Sequence, residues 1–164
     1  TLTRLLSDAG YCQYELSNYA LPGYESRHNI GYWRGRRYLG LGPSAHSYDG
    51  GTVRRYNPSD LKGYLAFFTG SGEKGLNFYR QENLNKDELR EEYVLTRLRL
   101  REGIRLPEFK ERFGEDASLA LTTHADKWIS DHKLELFTTN SGEPHLRLTQ
   151  RGIMISDEII ADLI

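Results

Sequence analysis

The sequence predicts an α+β chain: a first half of short strands and glycine-rich turns, then a second half of capped helices with a hairpin and a closing helix. Three observations lead there. Tyr11 to Leu16, YCQYEL, alternates as a strand does, and Val53 to Tyr56 returns after the turn Tyr48-Asp49-Gly50-Gly51-Thr52. From Leu84 onward, apolar residues recur at helical spacing between capping residues. Leu134 to Phe137 and His145 to Leu148 then alternate around a polar turn containing Asn140-Ser141-Gly142. At 164 residues the chain suffices for one domain, or one and a half, with a real core.

Taken in order, Leu2 to Asp8 reads as the end of a helix, with Gly10 as a left-handed stop before the Tyr11 to Leu16 strand. Leu21 to Arg37 contains Pro22, Gly23, Gly31 and Gly35, which predicts a loop with short turns. From Tyr38, glycines alternate with leucines, so Gly40 and Gly42 belong to an extended segment whose backbone passes close to something. Asn57 as N-cap, with Pro58 first in the helix, opens a helix whose Leu61, Tyr64, Leu65 and Phe68 form one buried face. Gly70 to Gly75 reads as a joint between two units.

Asn85 and Glu88 make a capping box for a helix expected to run to about Arg101, where Gly103 stops it. Its stripes, Leu89-Tyr93-Leu100 and Val94-Leu98, predict packing on two sides. Pro107 to Phe113 is a short helix ended by Gly114, and Leu121, Ala125, Trp128, Ile129 and His132 share helical spacing. Thr149 caps a last helix to about Ile164, completing a winged-helix-like arrangement. The expected division is 1–56, 57–83 as helix and linker, and 84–164.

The chemistry concentrates in Arg27 to Ser47, RHNIGYWRGRRYLGLGPSAHS, which crowds histidines, arginines, aromatics and glycines together. Imidazole ligates iron, rings stack, and guanidinium forks hold carboxylates, so the stretch suits a large, flat, anionic ligand. The bland alternatives stand beside this. A lone His28 is more often a hydrogen-bonded surface residue, Tyr32 and Trp33 local core, and Arg34, Arg36 and Arg37 a solvated face. Glu15 reads as a cap or as the partner of a nearby arginine.

The segment YELSNYALPGYESRHNIGYWRGRRYLGLGPSAHS resembles the oxygen-independent coproporphyrinogen III oxidase family of radical-SAM proteins. His28, Asn29, Tyr32 and Trp33 fit the H-N-x-x-Y-W pattern of its heme-chaperone branch, whereas the oxidases have an N-F-Q-G-Y-T-T type stretch. His46 in GLGPSAHS again matches the chaperones, and LRLREGI and LRLTQRGIMISDEI extend the likeness through the second half.

The resemblance implies the last strand and connecting region of a partial TIM-like radical-SAM barrel, followed by the winged-helix-like domain. It implies heme binding by His28 as iron ligand, with Asn29, Tyr32 and Trp33 beside it and Arg34, Arg36 and Arg37 at the propionates. Gly40, Gly42, Ser44, Ala45 and His46 would face the S-adenosylmethionine and porphyrin side. Family members hold a 4Fe-4S cluster through three cysteines, but this chain has only Cys12, so the expectation is a C-terminal part of a longer protein. The function implied is heme delivery to an acceptor protein; the alternative is the oxidase itself, which decarboxylates propionates.

A net charge of −1 gives no general attraction to nucleic acid or anionic membrane. The helix SLALTTHADKWISDHK sets two lysines against two aspartates, and the wing turn TTNSGEP has no base, which argues against a DNA-binding winged helix. A single cysteine, no signal-like segment and no run of eighteen apolar residues lead to the expectation of a cytoplasmic chain without a membrane span. His124, His132 and His145 lack metal-like spacing and read as structural. An unpaired strand edge at Tyr11 to Leu16 would invite a homodimer.

Overall fold

A computed structural model describes residues 2–70, 78–139 and 141–164. In chain order its elements are α1 (Leu2–Asp8), β1 (Cys12–Gln13), β2 (Tyr19–Ala20), α2 (Arg27–Trp33), β3 (His46–Tyr48), β4 (Val53–Tyr56), α3 (Leu61–Thr69) and β5 (Arg80–Asn83). There follow α4 (Lys86–Arg97), β6 (Ile104–Arg105), α5 (Leu106–Phe113), α6 (Glu115–Ser130), β7 (Leu134–Thr138), β8 (Pro144–Leu148), α7 (Gln150–Ile153) and α8 (Ser156–Leu163). They form two compact units, one of residues 1–34 with 90–164 and one of residues 35–89.

The first unit holds the core. Val94, Leu98, Ile104, Phe109, Leu134, Leu146, Ile159 and Ile160 are almost fully buried there. β6, β8 and β7 form an antiparallel sheet in that order, with Leu134 opposite Leu148 and Ile104 opposite Leu146. β6 is a strand that local pattern gave no sign of: two residues after Gly103 (φ +69), whose missing Cβ lets the chain press against the Leu146 carbonyl. Trp128 on α6 donates its Nε1–H to Asp162 Oδ2 at 2.8 Å, and Lys127 Nζ reaches Oδ1 at 2.7 Å, tying α6 to α8.

Several expectations are corrected. The strand predicted over Tyr11 to Leu16 is only β1, antiparallel to β2, and every strand pair among the described residues is antiparallel. Tyr14 to Leu16 instead lies along Arg99 to Arg101, through Leu16 N–H to the Arg99 carbonyl and Arg101 N–H to the Tyr14 carbonyl. α4 ends at Arg97 rather than Arg101, and the last helix is split into α7 and α8 by a turn at Met154 and Ile155.

In the second unit the hairpin β3–β4 forms as expected, its turn fastened by Asp49 Oδ1, which accepts the Gly51 and Val53 N–H. These two bonds hold the Asp49 carboxyl below its ordinary value. β5 adds a third strand where a linker was expected. Asp60, not Asn57, is the N-cap residue of α3. Leu61, Leu65 and Phe68, expected to be buried, are exposed. The joint expected at Gly70 to Gly75 lies, beyond Gly70 itself, outside the described residues, as does Asn140 in the hairpin turn.

Candidate functional site

Residues 21–37, expected as loop, contain the helix that presents the H-N-x-x-Y-W residues. α2 has poor intrinsic propensity, with Gly31 and β-branched or aromatic residues around it, and is seven residues long. Two tertiary devices hold it. Ser26 caps its start by accepting the Asn29 N–H on Oγ at 3.3 Å. At its end, Trp33 donates its indole Nε1–H to Glu15 Oε2 at 2.6 Å.

Glu15 organises this region. It is 5% exposed, and every contact it makes is to a donor: Trp33 on one oxygen, Asn18 Nδ2 at 2.5 Å and the Ser17 N–H at 3.2 Å on the other. The buried carboxylate is thus satisfied by hydrogen bonds to neutral groups rather than by the arginine that sequence reasoning offered. Arg99 instead stacks over the Trp33 ring, 5.3 Å from its centroid.

With Trp33 fixed, helical spacing brings His28 and Tyr32 together on α2, ring centroids 5.6 Å apart and tilted by 59°. Both are exposed, Tyr32 by 41%. Arg34, at the C-cap, grips Glu102 with two bonds, Nε to Oε1 at 3.0 Å and Nη2 to Oε2 at 2.8 Å. In the same unit, Arg105 forms a second bidentate pair with Glu143, and Arg97 meets Glu108. The Arg105 guanidinium holds the Glu143 carboxyl below its usual range.

Arg36, Arg37 and the stretch from Gly40 to His46 belong to the second unit. Here the close approach predicted at Gly40 is to the chain itself: a Cβ would sit 2.0 Å from the His46 carbonyl oxygen. The Gly40 N–H donates to Ser47 Oγ. Gly42 (φ +102) is gripped from both sides, its N–H donating to Tyr64 Oη at 3.0 Å and its carbonyl accepting Asn57 Nδ2 at 2.8 Å. Asn57 therefore pins this loop instead of capping α3. Ser44 is held at φ +58, a strained conformation for a residue with a Cβ, with its N–H on the Pro58 carbonyl. Ala45 accepts the Asn57 N–H, and the exposed His46 ring stacks on Tyr56 across the β3–β4 pair at 5.5 Å.

Of the residues sequence reasoning missed, Ser26 was legible as a serine three positions before Asn29. Glu15 to Trp33 and Arg34 to Glu102 were not, being separated by 18 and 68 positions.

The described residues contain no group of three or more His, Cys, Asp or Glu arranged to hold a metal ion, and no helix long and apolar enough to cross a membrane. His145 is buried, with Nδ1 on the Glu102 carbonyl at 2.9 Å.

Comparison with known proteins gives the class first. Residues 84–155 match the HemN C-terminal domain. The solved structure of coproporphyrinogen III oxidase (HemN) from Escherichia coli, titled a radical SAM enzyme, is similar with a TM-score of 0.68 at 16% identity, over 99% of this chain and 39% of that one. At that identity the likeness is one of fold. Nearer in sequence, the chain is 35% identical to heme chaperone HemW of Mycobacterium tuberculosis, over 97% of its own length and 36% of the relative's. It is 31% identical to heme chaperone HemW of Bacillus subtilis, over 92% and 37%. It is 36% identical to radical S-adenosyl methionine domain-containing protein 1, mitochondrial, of Danio rerio, over 100% and 37%. The chain belongs to the HemW-like branch of the coproporphyrinogen III oxidase (HemN) family, and it spans a little over a third of the length of these relatives.

Proposed function

We propose that this chain forms part of a heme chaperone, which binds heme as cargo and passes it to an acceptor protein. The observation that carries the reading is α2, with the exposed imidazole of His28 beside the exposed ring of Tyr32 on a helix anchored through Trp33. A macrocycle needs an imidazole donor and a flat apolar neighbour, and both are exposed there. His28 takes the iron, Tyr32 contacts the ring, Asn29 flanks it, and Trp33 fixes the helix that carries them. Arg34, Arg36 and Arg37 serve the propionates; for Arg34 this is an exchange, since its fork already holds a carboxylate of the right geometry in the half-exposed Glu102.

The names of the relatives support the chaperone over the oxidase, which is matched in fold at 16% identity. A 4Fe-4S cluster of the kind the family implies needs three thiolates, and this chain's single Cys12 does not supply them. Gly40, Gly42, Ser44, Ala45 and His46 are assigned to the side facing S-adenosylmethionine and porphyrin in the longer protein, a role to which the strained, pinned backbone at Ser44 is suited. The helices and sheet from α4 to β8 read as a winged-helix-like packing module in a cytoplasmic protein. In α6, Lys127 stands against Glu115, Asp116 and Asp126, a balance poorly suited to phosphates.

The test is a hemin titration of the chain, with His28→Ala and His46→Ala in parallel, followed in the Soret region. A saturable one-to-one band abolished in the His28 variant and kept in the His46 variant is expected. Equal binding by all three proteins overturns the His28 assignment.

A further inference from the structure

A cavity of about 270 Å³ lies in the first unit, behind the Glu15 to Trp33 anchor. Part of its wall is aliphatic: Leu16, Leu98, Leu148 and Ile153. Another part is amide, where Gln150 Nε2 donates to the buried Gln13 Oε1 at 3.0 Å and Gln13 Nε2 to the Leu16 carbonyl at 2.8 Å. The charged part is unbalanced. Arg99, Arg101 and Arg147 face only Glu15 and Glu135. Glu135 is engaged by Arg147 Nε at 2.7 Å, and both oxygens of Glu15 are taken by Trp33, Asn18 and the Ser17 amide.

Among the described residues the ion-pair partner of Arg99 is Asp157, at 3.7 Å and with that carboxylate 91% exposed, a contact that holds little. Among the described residues Arg101 has no ion-pair partner, and it is exposed at the mouth. By contrast, the neighbouring cavity of about 220 Å³ sets Arg34, Arg97 and Arg105 against Glu102, Glu108 and Glu143, each pair already closed.

We propose that the cavity lined by Leu16, Leu98, Leu148 and Ile153, with Arg99 and Arg101 as its cations, is a binding site for a small amphipathic carboxylate. An aliphatic wall beside unneutralised guanidinium groups selects a ligand that buries a chain and presents an anion. The space holds about nine waters at ~30 Å³ each, which suits a carboxylate of about eight carbons. The site stands apart from the heme reading, yet it is wired to α2. Two of its wall residues touch Trp33: Glu15 accepts its indole N–H and Arg99 covers its ring. Occupation therefore registers at Trp33.

The experiment titrates octanoate into the 15N-labelled chain and follows the two indole N–H resonances, assigned with Trp33→Phe. The probe of charge is octanol, and the probes of site are Arg101→Gln and Arg99→Gln. A saturable shift of the Trp33 resonance with Trp128 unmoved is expected, with octanol binding weaker by roughly tenfold or more, the contribution of one charge-assisted hydrogen bond. Arg101→Gln, exposed and remote from the core, is expected to weaken octanoate by a similar factor and leave octanol unchanged. Equal binding of octanoate and octanol, octanoate affinity indifferent to both arginine substitutions, or a Trp33 resonance that does not move each overturns the assignment.

Discussion

Glu15→Gln tests the anchor of the site directly. The carboxylate receives three hydrogen bonds, all from donors, and sits 5% exposed. A glutamine keeps one acceptor oxygen and replaces the other with a donor. If the oxygen stays with Asn18 and Ser17, the new NH2 group faces the Trp33 indole N–H, donor against donor. One hydrogen bond to a charged group, worth about 1.5–3 kcal/mol, is lost, and a half-buried donor is left facing a like group. Relief of the buried charge offsets part of this, because a carboxylate removed from water carries its own cost. The net loss is expected at about 2 kcal/mol. It should appear in urea unfolding as a lower midpoint with unchanged slope, and locally as exchange of the amides of α2 faster than in the parent protein. Because Trp33 anchors the helix bearing His28, hemin affinity should fall as well. A cost below about 0.5 kcal/mol with the α2 amides unaffected would refute the reasoning, since the anchor would then be incidental.

Asn85→Ala removes the acceptor of the Asp87 and Glu88 amides and leaves half of the capping box; a loss of about 1 kcal/mol is expected in thermal or urea unfolding. Gly40→Ala puts a Cβ against the His46 carbonyl, so the loop must shift; His46 and Tyr56 signals should move while the buried residues of the first unit do not. Lys127, and then the Trp128 indole, hold the Asp162 carboxyl below its ordinary 3.8. A depressed carboxyl stabilises the fold above its unfolded value and loses that contribution as pH falls through the folded one. Stability should therefore drop from about pH 4 downward, and Asp162→Asn should flatten that limb of the profile measured by pH-dependent unfolding.

The sequence by itself determined the α+β class, the capped start of α4, the short helix α5 and both hairpins. Each of these rests on rules that act between near neighbours. Asn85 and Glu88 are three positions apart, the Asp49 turn closes within four, and the helical stripes that bury Val94 and Leu98 repeat every three or four. The tertiary structure decided what those residues do. α2 was hidden because Gly31 and its aromatics read locally as loop, and it forms through a buried carboxylate 18 positions away. Asn57 carries a good capping signal and spends its side chain on Gly42, because a loop carbonyl 15 positions back lies within reach. β6 is two residues long and exists because β8 is beside it. Arg34 met Glu102 across 68 positions. Such pairings depend on which surfaces the core brings together, and a local pattern carries no record of them, because a hydrogen bond constrains distance in space and the chain can close that distance through loops of almost any length.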